Sequence, residues 1–382
     1  METLSVIPAN FQDILPANST PSSVAIGQLA SLPLLNPIFI CVTSYTATCE
    51  IPGITVAGAN LEFLKYTSPA DAEFLHYGHC RCIDGVPITP DGKPTPAIIT
   101  RAALRLSEIP FFVVDAGARI KPSIPHISFD LPSGRNIQFG NAIDIDKVHQ
   151  AFEYGIILGK QLGRTSSLVV IGESIPGGTT TALGVLTALG FDAKNKTSSS
   201  MPQNPHDLKN LTVSEGIKKA NISFGSLRND PLRAVSFLGD PMMPAVVGIV
   251  DGVLNSGSVS SHVMLAGGTQ MAAILALLKS LGRSLERISV GTTVYVAEDP
   301  SSNLANLIDS ISSNIGIYKL NPQLALSSQP GLRAFARGFV KDGVGAGGLS
   351  IVAMLKSNGQ IDGRSLLKAV EQEYDAILGR IG

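Results

Sequence analysis

Three glycine-bearing segments hold the side chains and backbone donors from which a site for chemistry could be built. The first runs Ser167-Leu-Val-Val-Ile-Gly172, then Glu173-Ser-Ile-Pro-Gly-Gly-Thr-Thr-Thr181, and enters an Ala- and Leu-rich stretch. A buried strand, a glycine turn and a helix start in that order favour an anion. Backbone N–H groups and the helix dipole converge there, and Gly177 and Gly178 let a ligand approach the backbone closely. The hydroxyls of Thr179 and Thr180 add donors. No lysine follows the glycines, so this is not the phosphate loop of nucleotide triphosphatases, and the Gly-x-Gly-x-x-Gly dinucleotide fingerprint is absent too. An ordinary capped turn between strand and helix would read the same way.

The second segment, Val263-Met-Leu-Ala-Gly-Gly-Thr-Gln270, repeats the strand, double glycine and helix start. Two such turns from neighbouring strands could share one ligand, or the glycines could serve tight geometry alone. The third, Phe339-Val-Lys-Asp-Gly-Val-Gly-Ala-Gly-Gly348, sets Lys341 and Asp342 among glycines before a helix. A carboxylate in such a loop can act as a general base if burial raises its pKa. An Asp-Gly pair is also a common turn. The histidines (76, 79, 126, 149, 206 and 262) are scattered, and none makes a recognisable nucleophile–base pair. His149 falls on a helical pattern and is expected on the surface or in the core. Cys41, Cys49, Cys80 and Cys82 read as reduced thiols. Cys80-Arg81-Cys82 is too tight for structural zinc and lacks a second pair, so no metal is expected.

The elements that must position these residues alternate between strand and helix. Strands are expected at Ile38–Ser44, Pro110–Asp115, Ser167–Gly172, Val263–Ala266 and Ser289–Val296. Helices are expected at Val24–Leu32, Thr95–Ser107, Ile145–Leu162, Thr179–Leu189, Asp207–Ala220, Pro231–Leu238, Met243–Val253 and Thr269–Leu281. Further helices are expected at Leu332–Phe339, Gly345–Lys356 and Asp362–Leu378, the last capped by Asp362. Another should start at Ser68-Pro-Ala-Asp-Ala-Glu73, with Ser68 as cap, Pro69 in the first position and Asp71 on the dipole's positive end. Lys194–Pro205 is a loop long enough to be functional. The pattern predicts an α/β fold, a Rossmann-like three-layer arrangement on a mainly parallel sheet. Ligands of such sheets sit at the carboxyl ends of the strands. Residues 36–350 are expected to form a Rossmann-like nucleotide-binding catalytic domain, with 1–35 and 351–382 as a smaller helical lobe.

With 382 residues, 44% hydrophobic and 15% charged, the chain can bury a generous core. A formal net charge of -1 argues against nucleic acid or an anionic membrane as partner. Mean hydropathy is +0.25, but Gly, Pro, Asp and polar residues break the apolar runs short of a membrane span. Met1–Pro16 has no basic region and carries Glu2 and Asp13, so it does not read as a signal peptide, and a cytoplasmic location is expected.

These segments, in this order, resemble the nicotinate-nucleotide–dimethylbenzimidazole phosphoribosyltransferases, which make the α-ribotide of cobalamin's lower ligand. The likeness is closer to a prokaryotic branch of that superfamily, through Ile51-Pro-Gly-Ile-Thr-Val-Ala-Gly, Ser68-Pro-Ala-Asp-Ala-Glu73 and Gly172-Glu-Ser-Ile-Pro-Gly-Gly-Thr-Thr-Thr181. It covers roughly residues 36–350. The resemblance implies that Glu173, Gly177, Gly178, Thr179 and Thr180 surround the phosphate and ribose of a mononucleotide, with Lys209 as a phosphate partner. Leu238-Gly239-Asp240 and Gly267-Gly268 match two further glycine turns lining the nucleotide. The family's catalytic glutamate falls on Asp342, one methylene shorter, which makes Asp342 the expected base and Glu173 its orienting or charge-stabilising partner. The acceptor base would stack near Pro94-Thr-Pro-Ala-Ile-Ile-Thr100, against Thr95, Pro96 and Thr100. That segment lacks the family's polar pattern, which leaves the acceptor open among dimethylbenzimidazole, a purine or another azole. Also implied are a nucleotide and a base as small-molecule partners, a homodimer, and no cofactor. The expected reaction is phosphoribosyl transfer from nicotinate mononucleotide. A glycosidase or phosphorylase on the same site, or a non-catalytic ribonucleotide-binding protein, are the alternatives.

Overall fold

The computed structural model describes residues 14–16, 32–58, 60–83, 88, 92–257 and 261–381. Among these, eight strands make one sheet: β1 (Ile14–Pro16), β2 (Pro37–Thr43), β3 (Phe111–Asp115), β4 (Ile127–Ser128), β5 (Leu168–Ser174), β6 (His262–Ala266), β7 (Ile288–Thr293) and β8 (Gly316–Leu320). Their spatial order is β1-β8-β7-β6-β5-β2-β3-β4. β1 runs antiparallel to β8, and the other neighbours are parallel.

Central strands of a parallel sheet are covered on both faces, which is why β5 and β7 are buried at every residue. Successive side chains alternate between two cores. Ile40, Val42, Val169, Ile171, Val263 and Leu265 enter one, and Phe39, Cys41, Leu168, Val170, Met264 and Ala266 the other. The helices, with single turns left unlabelled, are α1 (Thr67–Tyr77), α2 (Ala97–Ser107), α3 (Ile145–Thr165), α4 (Gly178–Leu189), α5 (His206–Lys219) and α6 (Pro231–Leu238). They continue with α7 (Met242–Leu254), α8 (Thr269–Ser280), α9 (Leu304–Ile311), α10 (Ala346–Lys356) and α11 (Gly363–Ile381). The first core takes residues from α3 to α9, the second from α1, α2, α10 and α11. The result is the expected three-layer α/β fold.

On the first side α3 and α7 touch backbone to backbone. Gly155 and Gly159 of α3 meet Gly248 and Gly252 of α7, and Gly163 packs against Val253 and Ser256. A Cβ on Gly159 would lie 2.1 Å from the Ile249 carbonyl oxygen, and one on Gly248 would lie 2.2 Å from that of Phe152.

From β5 the chain adds strands outward to β8, and from β2 outward to β4, so the winding reverses between β2 and β5. The crevice at the carboxyl ends of such a pair is the standard place for a ligand. Here Thr43 of β2 lies opposite Ser174 of β5.

Several expectations need correction. The Val24–Leu32 helix lies, up to residue 31, outside the described residues. The strand expected at Ser289–Val296 stops at Thr293, whose N–H is taken by the Asp342 carboxylate, and Val294–Ala297 turns into a helix. The helix expected at Leu332–Phe339 is broken into Pro330–Arg333 and a 3-10 turn at Phe335–Arg337, ended by Gly338 at φ 83°. Ser68 does not cap α1, because a 3-10 turn at Leu64–Tyr66 runs straight into the helix. Its hydroxyl donates instead to the Ser44 carbonyl at 2.6 Å. Pro69 is therefore the third helical residue, and Asp71 is buried rather than at the helix mouth. Asp362 does cap α11, accepting from the Ser365 N–H at 2.8 Å. No helix among the described residues is long and apolar enough to cross a membrane.

Candidate functional site

A cavity of about 1260 Å³ opens at the carboxyl ends of β5 and β6, over the sheet's reversal point. Its polar wall is the end of β5 with the turn behind it. β5 extends further than expected, through Glu173 and Ser174. Gly177 then takes φ 80°, a conformation that suits glycine, and α4 begins at Gly178. Glu173, Gly177, Gly178 and Thr179 all line the cavity, so the positive end of the α4 dipole faces it. Thr180 is wholly buried, its Oγ1 has no hydrogen-bond partner among the described residues, and it does not reach the cavity wall.

Lys209 is buried behind this turn. Its Nζ donates to Thr179 Oγ1 at 3.2 Å and to the carbonyls of Ser198 at 2.7 Å and Thr197 at 3.4 Å. Burial, aided by the charge of Lys341, lowers its pKa to about 7. Lys209 therefore touches Thr179 while standing off the cavity surface. The Lys194–Pro205 loop does contribute, through Ser198, Ser199 and Ser200.

Three carboxylates cluster here, Glu173 and Asp342 on the cavity wall and Asp240 beneath it. Glu173 is 6% exposed. Burial raises its pKa well above the ordinary carboxylate range, and the charges of Asp240 and Asp342 raise it further. The Gln270 amide and the Ile175 N–H partly oppose the rise. Asp240 does not line the cavity and is fully buried beneath it. It accepts from Thr181 Oγ1 at 2.5 Å and from the N–H groups of Met242 and Met243, tying α4 to the start of α7. Burial raises its pKa to about 6 against these hydrogen bonds. Gly239 likewise stays behind the wall. Asp342 lines the cavity with both oxygens occupied: Oδ2 accepts from Thr292 Oγ1 and the Thr293 N–H, each at 2.8 Å, and Oδ1 from the N–H groups of Gly343 at 2.8 Å and Gly347 at 3.4 Å. Burial nevertheless raises its pKa.

After β6 the second glycine turn delivers Gly268, Thr269 and Gln270 to the wall. Gly267 sits behind it, where a Cβ would stand 3.9 Å from Glu173 Oε1. The loop bearing Asp342 is fixed to β5 by Val344 N–H donating to the Glu173 carbonyl at 2.8 Å. Its neighbour Lys341 is 2% exposed and pairs with Asp299 at 2.5 Å, while also donating to Asn204 Oδ1 at 3.2 Å. Burial would raise the Asp299 pKa, but Lys341, the Ser301 N–H and Asn204 hold it down at about 2.

The opposite side is apolar, with Ile51, Ile54, Val56, Leu61, Phe63 and Leu64 on the wall. Thr95 and Pro96 also line it, whereas Thr100 is buried in α2 and donates to the Val344 carbonyl at 2.9 Å. Asp71 is a cavity residue that sequence reasoning assigned to a helix dipole. Its carboxylate accepts from Thr95 Oγ1 at 2.7 Å and Ser174 Oγ at 2.6 Å, and burial raises its pKa to about 6. The segments 51–58 and 263–270 stand out in the sequence, but nothing there assigns the apolar wall or Gln270 to the site. Both are ordinary side chains whose meaning depends on what the fold sets opposite them. His149 is exposed on α3 and does not line the cavity, and the four cysteines are free.

Two solved structures share the fold along nearly the whole chain. One is the nicotinate-nucleotide-dimethylbenzimidazole phosphoribosyltransferase from Thermus thermophilus, with TM-score 0.59 and 13% identity, covering 92% of each chain. The other is CobT from the same organism, with TM-score 0.58 and 16% identity, covering 90% of this chain and 89% of that one. At that identity the likeness concerns architecture. No family model matches the chain. In sequence it is 46% identical over 340 residues to a UPF0284 protein of Archaeoglobus fulgidus, covering 89% of this chain and 94% of that protein. It is 43% identical over 323 residues to a UPF0284 protein of Methanothermobacter thermautotrophicus, covering 83% and 88%. With identity at this level over most of both chains, the protein belongs to the UPF0284 family.

Proposed function

We propose that the protein is a phosphoribosyltransferase that moves the phosphoribosyl group of nicotinate mononucleotide, or a close relative, to a nitrogenous base, in chemistry of the kind that builds cobamide lower ligands. The observation that carries this reading is the meeting, in one cavity, of the α4 amino end, the enclosed Glu173 carboxyl and an apolar wall. The turn Gly177–Thr179 would take the 5′-phosphate, with Lys209 acting through Thr179. The apolar wall and Pro96 would hold the planar acceptor.

In the reaction the bond from the anomeric carbon to the pyridinium nitrogen breaks, and its electron pair leaves with nicotinate. A lone pair of the acceptor base forms the new carbon–nitrogen bond, and the ring N–H proton of the acceptor passes to a carboxylate. The site contributes positioning and a proton acceptor. Between the two candidates, the surroundings favour Glu173 for the proton. Burial raises the pKa of both, but Glu173 lines the cavity with few donors, whereas Asp342 already accepts four. Asp342 then holds the loop in place and adds negative charge near the oxocarbenium-like transition state. This exchanges the roles that the resemblance implies.

The test is nicotinate release from nicotinate mononucleotide with a panel of bases that includes dimethylbenzimidazole and adenine. Base-dependent release supports transfer and identifies the acceptor. Release without any base points to a hydrolase, and binding without release leaves a nucleotide-binding protein.

A further inference from the structure

Gln270 presents an unusual arrangement. It is 7% exposed and lines the cavity, and its Nε2 has no hydrogen-bond partner among the described residues. A buried amide donor left unmatched costs free energy unless something outside the chain meets it. The amide lies beside the Glu173 carboxyl and opposes the rise of its pKa, while Nε2 makes no hydrogen bond of normal geometry among the described residues. On its other side Nε2 lies against the start of α4, only 2.3 Å from where a Cβ on Gly178 would stand. The donor therefore sits between the phosphate turn and the carboxylate.

A ligand group placed there faces an N–H donor and a carboxylate acceptor together. A phosphate oxygen or a second carboxylate would satisfy the amide and be repelled by Glu173. A ring nitrogen with a lone pair, or an N–H, would satisfy only one of the two. A hydroxyl satisfies both, because its oxygen accepts while its hydrogen is donated. On the reading of this cavity as a ribonucleotide site, on which the inference rests, the hydroxyl beside the anomeric carbon is the ribose 2′-OH. We propose that Gln270 and Glu173 form a reader of that hydroxyl, with Nε2 donating to its oxygen and one Glu173 oxygen accepting its proton. The second Glu173 oxygen stays available for the acceptor base at the neighbouring carbon.

Calorimetric titration of the full-length protein with nicotinate mononucleotide and its 2′-deoxy analogue tests this. A polar site built for a hydroxyl rejects the analogue without it, so the wild type should bind the ribonucleotide about tenfold to a hundredfold more tightly. Gln270→Leu should lose most of that ratio by weakening the ribonucleotide and leaving the deoxy analogue nearly unchanged. Equal affinity of the wild type for both nucleotides overturns the inference while leaving the transfer reading intact, and that comparison needs no variant to fold. A Gln270→Leu protein that folds and keeps the wild-type ratio also overturns it. If the wild type binds neither nucleotide, the ribonucleotide reading falls and takes this inference with it.

Discussion

The cavity is closed by two loops that reach similar ends by opposite means. The turn after β5 makes its sharp reversal at Gly177, where a positive φ is natural. The loop before α10 places Val340, Lys341 and Val344 at φ 64°, 46° and 55°, a region that branched residues avoid. That conformation is held by many bonds: Val340 N–H to the Ser200 carbonyl, Lys341 to Asp299 and Asn204, and four donors to Asp342. The first loop is made by its own sequence. The second is imposed by its surroundings, which is how strain is kept at a site.

The comparison breaks most visibly at Glu173. Glu173→Gln removes a proton acceptor while keeping the shape, and turnover should fall roughly 10²–10⁴-fold, well beyond any loss of nucleotide binding. An unchanged kcat would remove Glu173 from the reaction. In the imposed loop, Lys341→Met leaves Asp299 charged and enclosed, which should cost roughly 3–5 kcal/mol of stability in denaturant unfolding. A loss under about 1 kcal/mol would mean that the pair does not hold the loop.

A smaller effect concerns pH. The Asp240 pKa is raised from 3.8 to about 6 in the folded protein. Its protonated form therefore favours the fold: that contribution is complete below the unfolded value and is lost as pH rises through about 6. The change is of the order of 3 kcal/mol. Asp240→Asn should flatten the stability profile across that window, and an unchanged slope would place the titration elsewhere.

Gly177→Ala puts a side chain on the left-handed turn, and its new Cβ would stand 3.0 Å from the Cys49 backbone. It should destabilise by roughly 1–2 kcal/mol and weaken nucleotide binding measured by calorimetry. The mirror experiment is Val340→Gly. Relief of the positive φ is offset by a more flexible unfolded chain, so the stability change should stay within about 1 kcal/mol. A large loss there would mean that the valine side chain, and not the backbone bonds, sets the loop.

The same contrast explains what could be read from sequence. β2, β5 and β6, α4, α6, α7 and α8 came out within a residue or two, since long apolar runs bounded by glycine declare themselves. The glycine turn after β5 was legible for the same reason. β8 went unseen because Tyr318 and Lys319 interrupt its apolar pattern, and α9 because eight residues are few for a periodicity. At the site, Glu173 and Asp342 were found as residue types, but their difference lies in hydrogen-bond partners contributed by β7 and α10. In the sequence Asp71 reads only as a helix-start residue and Gln270 only as the end of a glycine segment, since their places depend on contacts across the sheet's carboxyl edge. Nothing in the sequence singles out the glycines of α3 and α7, yet they are where two backbones touch.

The two ends of the sheet have a bearing on how the protein is handled. At one side the last strand, β4, is only two residues long, too short to template pairing with another chain. At the other, β8 is sheathed by the three antiparallel residues of β1, which lie more than twenty positions ahead of β2 in the chain. A shortened chain beginning at β2 would keep the cavity lining and bare the β8 ladder, an edge open to association with another chain.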